Sequence, residues 1–212
     1  MQNLPPVTRA LLIANVIVFL LQQVAGDWLT AHFALWPVDG SRLFDLGDGS
    51  VLRVAFEPWQ LVSYGFLHGG FPHIAFNMLG LWMFGGPVEQ ALGARRFTIF
   101  YSVSVVGAAL AQLATIHFFK TGDFYPTIGA SGGVFGILLA YAMIYPHARI
   151  ISLFTPFPTP APIAVAIFIA IEMYMGITGT QEGVAHFAHL GGAAAGFVLL
   201  RYWRAQALRS RD

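Results

Sequence analysis

Six long apolar runs divide this chain, and short segments rich in proline, glycine and charged residues separate them. A helix that crosses a lipid bilayer needs about 20 predominantly apolar residues, so the 212 residues have room for roughly six such helices with short connections. The predicted spans are residues 9–25, 72–90, 96–119, 131–145, 163–176 and 185–203. We therefore expect an all-α polytopic membrane protein whose single domain covers residues 1–212.

Composition favours the same class of protein. Apolar residues make up 57% of the chain and charged residues 10%, and the mean hydropathy is +0.66. Water-soluble domains usually carry about 25% charged residues, so this chain lacks the polar surface that a soluble globule needs. The chain has no cysteine, which excludes disulfides, thiolate metal sites and a cysteine nucleophile.

The connections between the runs differ in character. The first loop, residues 26–60, is long, polar and aromatic, and contains the turn signals WPVDG and LGDGS. Residues 154–162 read FTPFPTPAP, and this density of proline precludes a continuous helix. We interpret the first apolar run as a retained span, because no basic run precedes it and no small-residue cleavage site follows it.

The distribution of lysine and arginine predicts how the bundle is oriented. With six spans, the two termini share one side of the membrane with the 2–3 and 4–5 connections. Basic residues concentrate there, and by the positive-inside rule that side is cytoplasmic. Eight of the eleven basic residues fall on it: Arg9, Arg95, Arg96, Arg149, Arg201, Arg204, Arg209 and Arg211. We therefore expect both termini in the cytoplasm and the first loop on the outer face.

A serine between glycines opens the fourth span, in the segment GASGG at residues 129–133. The first backbone N–H groups of a helix have no intrahelical partner and lie at the positive end of the helix dipole. That environment suits an oxyanion, and glycines let a substrate backbone come close to Ser131. The alternative interpretation is a helix-capping serine with glycines that serve helix packing.

Two histidines open the sixth span, His186 and His189. Stripes of small residues in the fourth and sixth spans favour close approach of these helices: Gly132, Gly136 and Ala140 in one, Gly192 and Gly196 in the other. Ser131 and His189 both begin spans on the outer side, so we expect them at similar depth, where the imidazole can act as general base. Either histidine alone is equally compatible with an interhelical hydrogen bond.

A third polar cluster, His68, His73 and Asn77, lies at the start of the second span. His73 and Asn77 are four residues apart and project from one face of a helix. An imidazole and an amide at the outer side can donate hydrogen bonds to the oxygen of a tetrahedral intermediate. The alternative is that these groups only tie spans together.

Glu172 is assigned to the end of the fifth span that lies away from the serine. We therefore expect no carboxylate beside His189, a Ser131–His189 dyad rather than a triad, and a structural or interfacial role for Glu172.

The three clusters together resemble the rhomboid intramembrane serine proteases. The matching patterns are HxxxxHxxxN from His68, GASGG around Ser131, and AHxxGxxxG with His189 as its histidine, and their order covers nearly the whole chain. The resemblance implies a rhomboid-like bundle of six helices. It implies an endopeptidase that hydrolyses peptide bonds in or near transmembrane segments of membrane proteins.

The resemblance also implies roles for individual residues. Ser131 is the expected nucleophile and His189 the general base. An oxyanion hole is expected from His73, Asn77 and the Ser131 backbone N–H. Supporting positions are expected at Gly129, which keeps the preceding loop open, at Phe135, which stacks on the base, and at Gly132, His68 and His186.

Further implications concern the surroundings of the site. The first loop is expected to lie partly in the outer leaflet as a side hairpin, and span 5 and residues 178–184 are expected to act as gate and cap. Family members often have Trp-Arg in the first loop, whereas this chain has Trp59-Gln60. An arginine-based tie is therefore expected to be lost.

Two other functions stay open at this point: a catalytically silent rhomboid-like binder of membrane proteins, and a membrane metalloenzyme with His68, His73, His186 and His189 as ligands. For the protease we expect no metal or organic cofactor, transmembrane protein substrates, contact with the lipid bilayer and no nucleic-acid partner. The expected location is a bacterial inner membrane, with the active site opening to the outer face.

Overall fold

The computed structural model describes residues 4–119, 125–152, 155–178 and 185–209. The protein is mostly helical. The helices are α1 (Pro6–Phe33), α2 (Gln60–Ser63), α3 (Phe71–Gly80), α4 (Gly86–Leu92), α5 (Ala94–Phe119), α6 (Ser131–Ile144), α7 (Ala161–Thr178) and α8 (His186–Arg209). A 3₁₀ turn, Tyr64–Phe66, follows α2, and a π-helical turn, Leu81–Gly85, joins α3 to α4.

Among these described helices, α1, α5 and α7 are long and apolar enough to cross a bilayer. Helix α6 is apolar but shorter. The other two predicted spans coincide with α3, the π turn and α4 taken together, and with α8. Each of the six apolar runs is thus helical, while three meet the length and hydropathy of a membrane span.

Two short antiparallel hairpins accompany the helices, and the mostly helical structure agrees with the all-α expectation. Strand β1 (Arg42–Asp45) pairs with β2 (Val51–Val54) in the first loop, and β3 (Arg149–Ser152) pairs with β4 (Thr155–Pro160) between α6 and α7. Pairing across a turn satisfies backbone groups that a proline-rich or turn-rich connection cannot satisfy by forming a helix. Both hairpins lie in connections, so the helical bundle is unchanged.

Helix α1 continues past the predicted end of the first span. Its backbone leaves helical geometry at Ala25 (φ −133°, ψ 40°) and then resumes to Phe33. In this second part the ring of Trp28 lies 4.4 Å from that of His32, whose Nδ1 lies 2.8 Å from the Trp28 carbonyl oxygen. The first loop is therefore shorter than residues 26–60, because a helix with polar and aromatic side chains extends into it.

The centre of the bundle is formed by α5, α6 and α8. Its fully buried side chains include Phe97, Phe100 and Ile137. Glycines and alanines line the helix contacts: a Cβ placed on Gly192 of α8 would overlap the backbone of Gly132 on α6. The backbones of α6 and α8 are thus in direct contact, and this contact sets how far apart their first residues lie.

The first loop is tied internally by Gln60, which is 1% exposed. Its Oε1 accepts from the backbone N–H groups of Trp36 and Glu57 at 3.2 and 3.1 Å, and its Nε2 donates to the carbonyl oxygen of Ala55 at 3.3 Å. An arginine-based tie is not possible at this position, and a buried glutamine instead joins separate segments of the loop.

Candidate active site

Ser131 is the first residue of α6, and the loop before it is fixed in place. Gly129 has φ +129°, a conformation that favours glycine, and its N–H donates to the carbonyl oxygen of Tyr64 at 3.0 Å. The Tyr64 hydroxyl in turn donates to the carbonyl oxygen of Val105 on α5 at 2.8 Å. The serine therefore enters the helix from a loop that is anchored to two neighbouring elements.

His189 lies in the first turn of α8, directly opposite the serine. Its Nε2 is 2.7 Å from Ser131 Oγ, a hydrogen-bond distance. Phe135, one turn after the serine, stacks on the imidazole with ring centroids 4.6 Å apart and an interplanar angle of 3°. The close contact between α6 and α8 thus brings a hydroxyl and an imidazole together as a nucleophile–base pair requires.

The carboxylate of Glu172 lies on the other side of His189, which corrects the expected position of this residue. Glu172 Oε2 is 2.8 Å from His189 Nδ1 and 2.6 Å from His186 Nδ1. Glu172 is the twelfth of the 18 residues of α7, in the half of that helix that leads toward α8. The signal was present in the sequence: in the predicted topology the fifth span runs from the inner to the outer face, which places its last third at the predicted depth of the histidines.

His73, in the first turns of α3, faces the loop before the serine. The Gly69 N–H donates to His73 Nδ1 at 3.3 Å, so Nε2 carries the proton of the neutral ring. A Cβ on Gly129 would lie 2.7 Å from His73 Nε2 and 3.6 Å from Ser131 Oγ. The N–H of His73 and the serine hydroxyl therefore border the same small space above Gly129.

Asn77 lies one turn after His73 on the same helix face and is buried, with 5% exposure. Its Nδ2 donates to the carbonyl oxygen of His73 at 2.9 Å. This contact identifies the amide nitrogen, because a carbonyl oxygen accepts only from a donor. An amide group has two N–H bonds, so one remains beyond the bond to His73.

The remaining supporting residues surround these groups. His68 is buried and its ring makes an edge contact with that of His73, with centroids 5.1 Å apart. It lies in the connection before α3, outside the helical segments, and burial together with the nearby His73 lowers the pKa of His68 to about 4. His68 is therefore neutral at physiological pH. Gly132 contacts α5 and α8, where a Cβ would overlap Ala108.

The same contacts indicate whether these side chains are arranged to bind a metal ion. Within the described part of the chain, one group of three potential ligands lies within 4.8 Å, namely Glu172, His186 and His189; His68 and His73 are not in it. Two ligands on a tetrahedral Zn²⁺ lie about 3.3 Å apart, given metal–ligand distances of about 2.0 to 2.1 Å. The observed O–N separations of 2.6 and 2.8 Å are shorter and match hydrogen bonds.

Taken together, these residues can perform acyl transfer. A hydroxyl lies beside a base, an N–H of a second imidazole borders the space next to that hydroxyl, and a helix N-terminus provides further donors. The predicted cap at residues 178–184 lies almost entirely outside the described residues.

Comparison with known proteins identifies related chains. Residues 55–206 match the family model described as Rhomboid domain. Rhomboid protein 1, mitochondrial, from Saccharomyces cerevisiae is 32% identical over 153 residues, which are 72% of this chain and 43% of that protein. Rhomboid protease GlpG from Klebsiella pneumoniae is 30% identical over 142 residues, which are 67% of this chain and 44% of the relative.

A longer alignment is found with Rhomboid protease GluP from Bacillus subtilis, which is 28% identical over 197 residues, 92% of this chain and 34% of that protein. The matched segments thus span less than half the length of these three curated relatives.

Proposed function

The chain belongs to the rhomboid family, and we propose that it is an intramembrane serine endopeptidase that cuts membrane proteins in or near their transmembrane segments. The observation that carries this proposal is the 2.7 Å contact between His189 Nε2 and Ser131 Oγ. Relatives named as rhomboid proteases support the same reaction class. A silent rhomboid-like binder needs neither member of this pair, so the contact favours the enzyme.

The reaction follows from the contacts. His189 Nε2 takes the proton of the Ser131 hydroxyl as Oγ attacks the carbonyl carbon of the scissile peptide bond. The carbonyl oxygen becomes an oxyanion, and the proposed donors to it are His73, Asn77 and the Ser131 backbone N–H. The protonated His189 gives its proton to the leaving amine, which releases the first product and leaves an acyl ester on Ser131.

Deacylation repeats the sequence with water. His189 takes a proton from water, the resulting hydroxide attacks the ester carbon, and the proton returns to Ser131 Oγ as the acid product leaves. The reaction consumes one water and needs no redox step. Water therefore has to reach the site, and Ser131 and His189 each keep partial solvent exposure at the start of their helices.

The membrane arrangement is part of the proposal. This integral membrane protein has six spans, formed by α1, by α3 with the π turn and α4, and by α5, α6, α7 and α8, as one domain over residues 1–212. Ser131 and His189 then lie toward the outer face, and both termini lie in the cytoplasm. The membrane proposed is a bacterial plasma membrane, in keeping with the bacterial relatives.

The proposed substrates are single-span membrane proteins with helix-destabilising residues near the cut and a small side chain at it. An α-helix occupies its own backbone groups in hydrogen bonds, so a protease that attacks a peptide carbonyl needs a segment that unwinds readily. No metal or organic cofactor enters this mechanism.

The test is labelling of the purified, detergent-solubilised protein with a fluorophosphonate, followed by mass spectrometry to locate the modified residue. Label on Ser131, together with loss of cleavage of a single-span membrane reporter protein in Ser131→Ala and His189→Ala, supports the serine mechanism. Retained cleavage by Ser131→Ala excludes the serine mechanism. A chelator is expected to leave cleavage unchanged, and strong inhibition by a chelator contradicts the proposal in favour of a metalloenzyme.

A further inference from the structure

The carboxylate of Glu172 is placed where the reaction proposed above needs a fixed acceptor. Its side chain is 15% exposed, and those of His189 and His186 are 12% and 5% exposed, so the three groups are largely removed from water. One oxygen, Oε2, contacts both imidazoles, at 2.8 and 2.6 Å. Charge-assisted hydrogen bonds of this length are stronger than bonds between neutral groups.

The bond to Glu172 determines which nitrogen of His189 carries a proton. A neutral imidazole has one N–H and one lone-pair nitrogen. A carboxylate accepts only, so the N–H of His189 is on Nδ1, facing Glu172, and Nε2 has the lone pair facing Ser131. The opposite tautomer would present an N–H to Ser131 Oγ and could not take the serine proton.

The same bond stabilises the charge that develops on the base. When His189 accepts the serine proton it becomes an imidazolium, and a carboxylate 2.8 Å away attracts this cation in surroundings of low polarity. Phe135 stacks flat on the ring and limits its tilt, but a stacked ring does not fix rotation within the ring plane. Glu172 fixes that rotation.

His186 secures the carboxylate itself. Its Nδ1 lies 2.6 Å from Glu172 Oε2, and both groups lie in or near the helix contact between α7 and α8. A glutamate side chain has several rotatable bonds, so a second partner reduces the freedom that the carboxylate would otherwise have. His186 thereby holds Glu172 in reach of His189.

We propose that Glu172 is a positioning residue, which holds His189 in the reactive tautomer and orientation through its Oε2, with His186 holding Glu172. This inference rests on the serine protease mechanism proposed above. It changes the catalytic group from a dyad to a serine–histidine–glutamate series in which the carboxylate acts only through the base. In serine proteases with an aspartate in the equivalent place, the carboxylate orients the imidazole and is not itself protonated.

The experiment compares Glu172→Gln with the wild type and with Glu57→Gln. The control makes the same chemical change at an exposed position in the first loop. Proteins are reconstituted in liposomes with a single-span reporter that has an alanine at the cut and glycine in its helix. The measurements are kcat, KM, the melting temperature and the rate of fluorophosphonate labelling, which needs no reporter.

Glu172→Gln is expected to lower kcat and the labelling rate about 10- to 100-fold, because one charged hydrogen bond to the base is lost. KM and the melting temperature are expected to stay at wild-type values, and Glu57→Gln is expected to change nothing. Glu172→Asp keeps the charge with a shorter reach, and its kcat is expected to fall between those of the wild type and the glutamine variant.

Wild-type kcat and labelling in Glu172→Gln overturn the inference. A loss of activity that merely follows a lower melting temperature also overturns it, because Glu172 would then be a structural tie between α7 and α8. Cleavage by Ser131→Ala, or a wild-type protein that is labelled elsewhere, overturns the serine mechanism and this inference with it. If Ser131 is labelled in the wild type and Glu172→Gln keeps the wild-type kcat and labelling rate, the serine mechanism stands and this inference alone is overturned.

Discussion

Gly192 on α8 packs directly against Gly132 on α6, with no room for a side chain between the two backbones. Gly132 is the residue after Ser131, and Gly192 is three residues after His189. The distance between the serine hydroxyl and the imidazole is therefore set by a backbone contact one turn or less away.

The first prediction concerns this contact. In Gly192→Ala the new Cβ would overlap the Gly132 carbonyl oxygen, so the helices must move apart. Overpacking of this kind costs about 1 to 3 kcal/mol, and separation of the helices breaks the Ser131–His189 bond. Expected results are a lower melting temperature and loss of fluorophosphonate labelling. Gly26→Ala is the matched control, because a Cβ there meets nothing within 4 Å; equal behaviour of the two variants contradicts the prediction.

The second prediction concerns Gly129. A Cβ at this position would lie 2.7 Å from His73 Nε2, and the φ of +129° is strained for any other residue. Gly129→Ala is therefore expected to fill the space beside Ser131 and to abolish cleavage of the reporter. Unchanged kcat in this variant would show that the substrate carbonyl lies elsewhere. Gly93→Ala is the control: Gly93 also has a positive φ (77°), but a Cβ there meets nothing within 4 Å. It therefore reports the effect of backbone strain without obstruction of the active site.

The third prediction concerns the oxyanion. Loss of one donor to an oxyanion typically lowers kcat about 100- to 1,000-fold. His73→Ala is expected to show such a loss with a small change in KM, measured by steady-state cleavage of the reporter. His147→Ala, at an exposed position after α6, is the matched histidine control and is expected to keep wild-type kcat. If both variants cleave equally well, His73 has no part in the oxyanion hole.

The fourth prediction concerns Glu89, which is 2% exposed. Its carboxylate accepts from the backbone N–H groups of Val7 and Thr8 at 2.9 and 2.7 Å, which caps the N-terminus of α1. Glu89→Gln replaces one acceptor by a donor and leaves a buried N–H without a partner, at a cost of about 1 to 3 kcal/mol. The melting temperature is expected to fall, while Glu57→Gln leaves it unchanged. An unaltered melting temperature in Glu89→Gln would rule out the capping role.

Much of the central arrangement could be predicted from the sequence. The glycine stripes that include Gly132 and Gly192 indicated close helix contact, and the predicted positions of Ser131 and His189 at the outer ends of two spans indicated equal depth. Each inference depends on spacing along one helix and on counting membrane crossings, which a sequence records directly. The catalytic roles of these residues stay predictions.

Other features depend on contacts that sequence spacing does not record. The position of Glu172 was assigned wrongly: the predicted direction of the fifth span already indicated its depth, but its contact with His189 also depends on how α7 packs against α8. The strands β1 and β2 have four residues each, too few for a clear alternation of polar and apolar side chains, although the LGDGS turn between them was recognised. The tie through Gln60 includes a bond to Trp36, 24 residues away along the chain, which a family comparison by residue type does not reveal.

The π turn Leu81–Gly85 has a consequence for how the second span can change. Each residue of a helix turns the chain by about 100°, so a wide turn offsets the faces of α3 and α4 relative to one uninterrupted α-helix. His73 points toward the serine from one half, and Glu89 points toward α1 from the other. Deletion of a single residue within the turn would rotate α4 relative to α3, so that His73 and Glu89 could not both keep their contacts. The contact that holds the start of α1 and the orientation of the His73 imidazole therefore both depend on the rotation that this one turn sets.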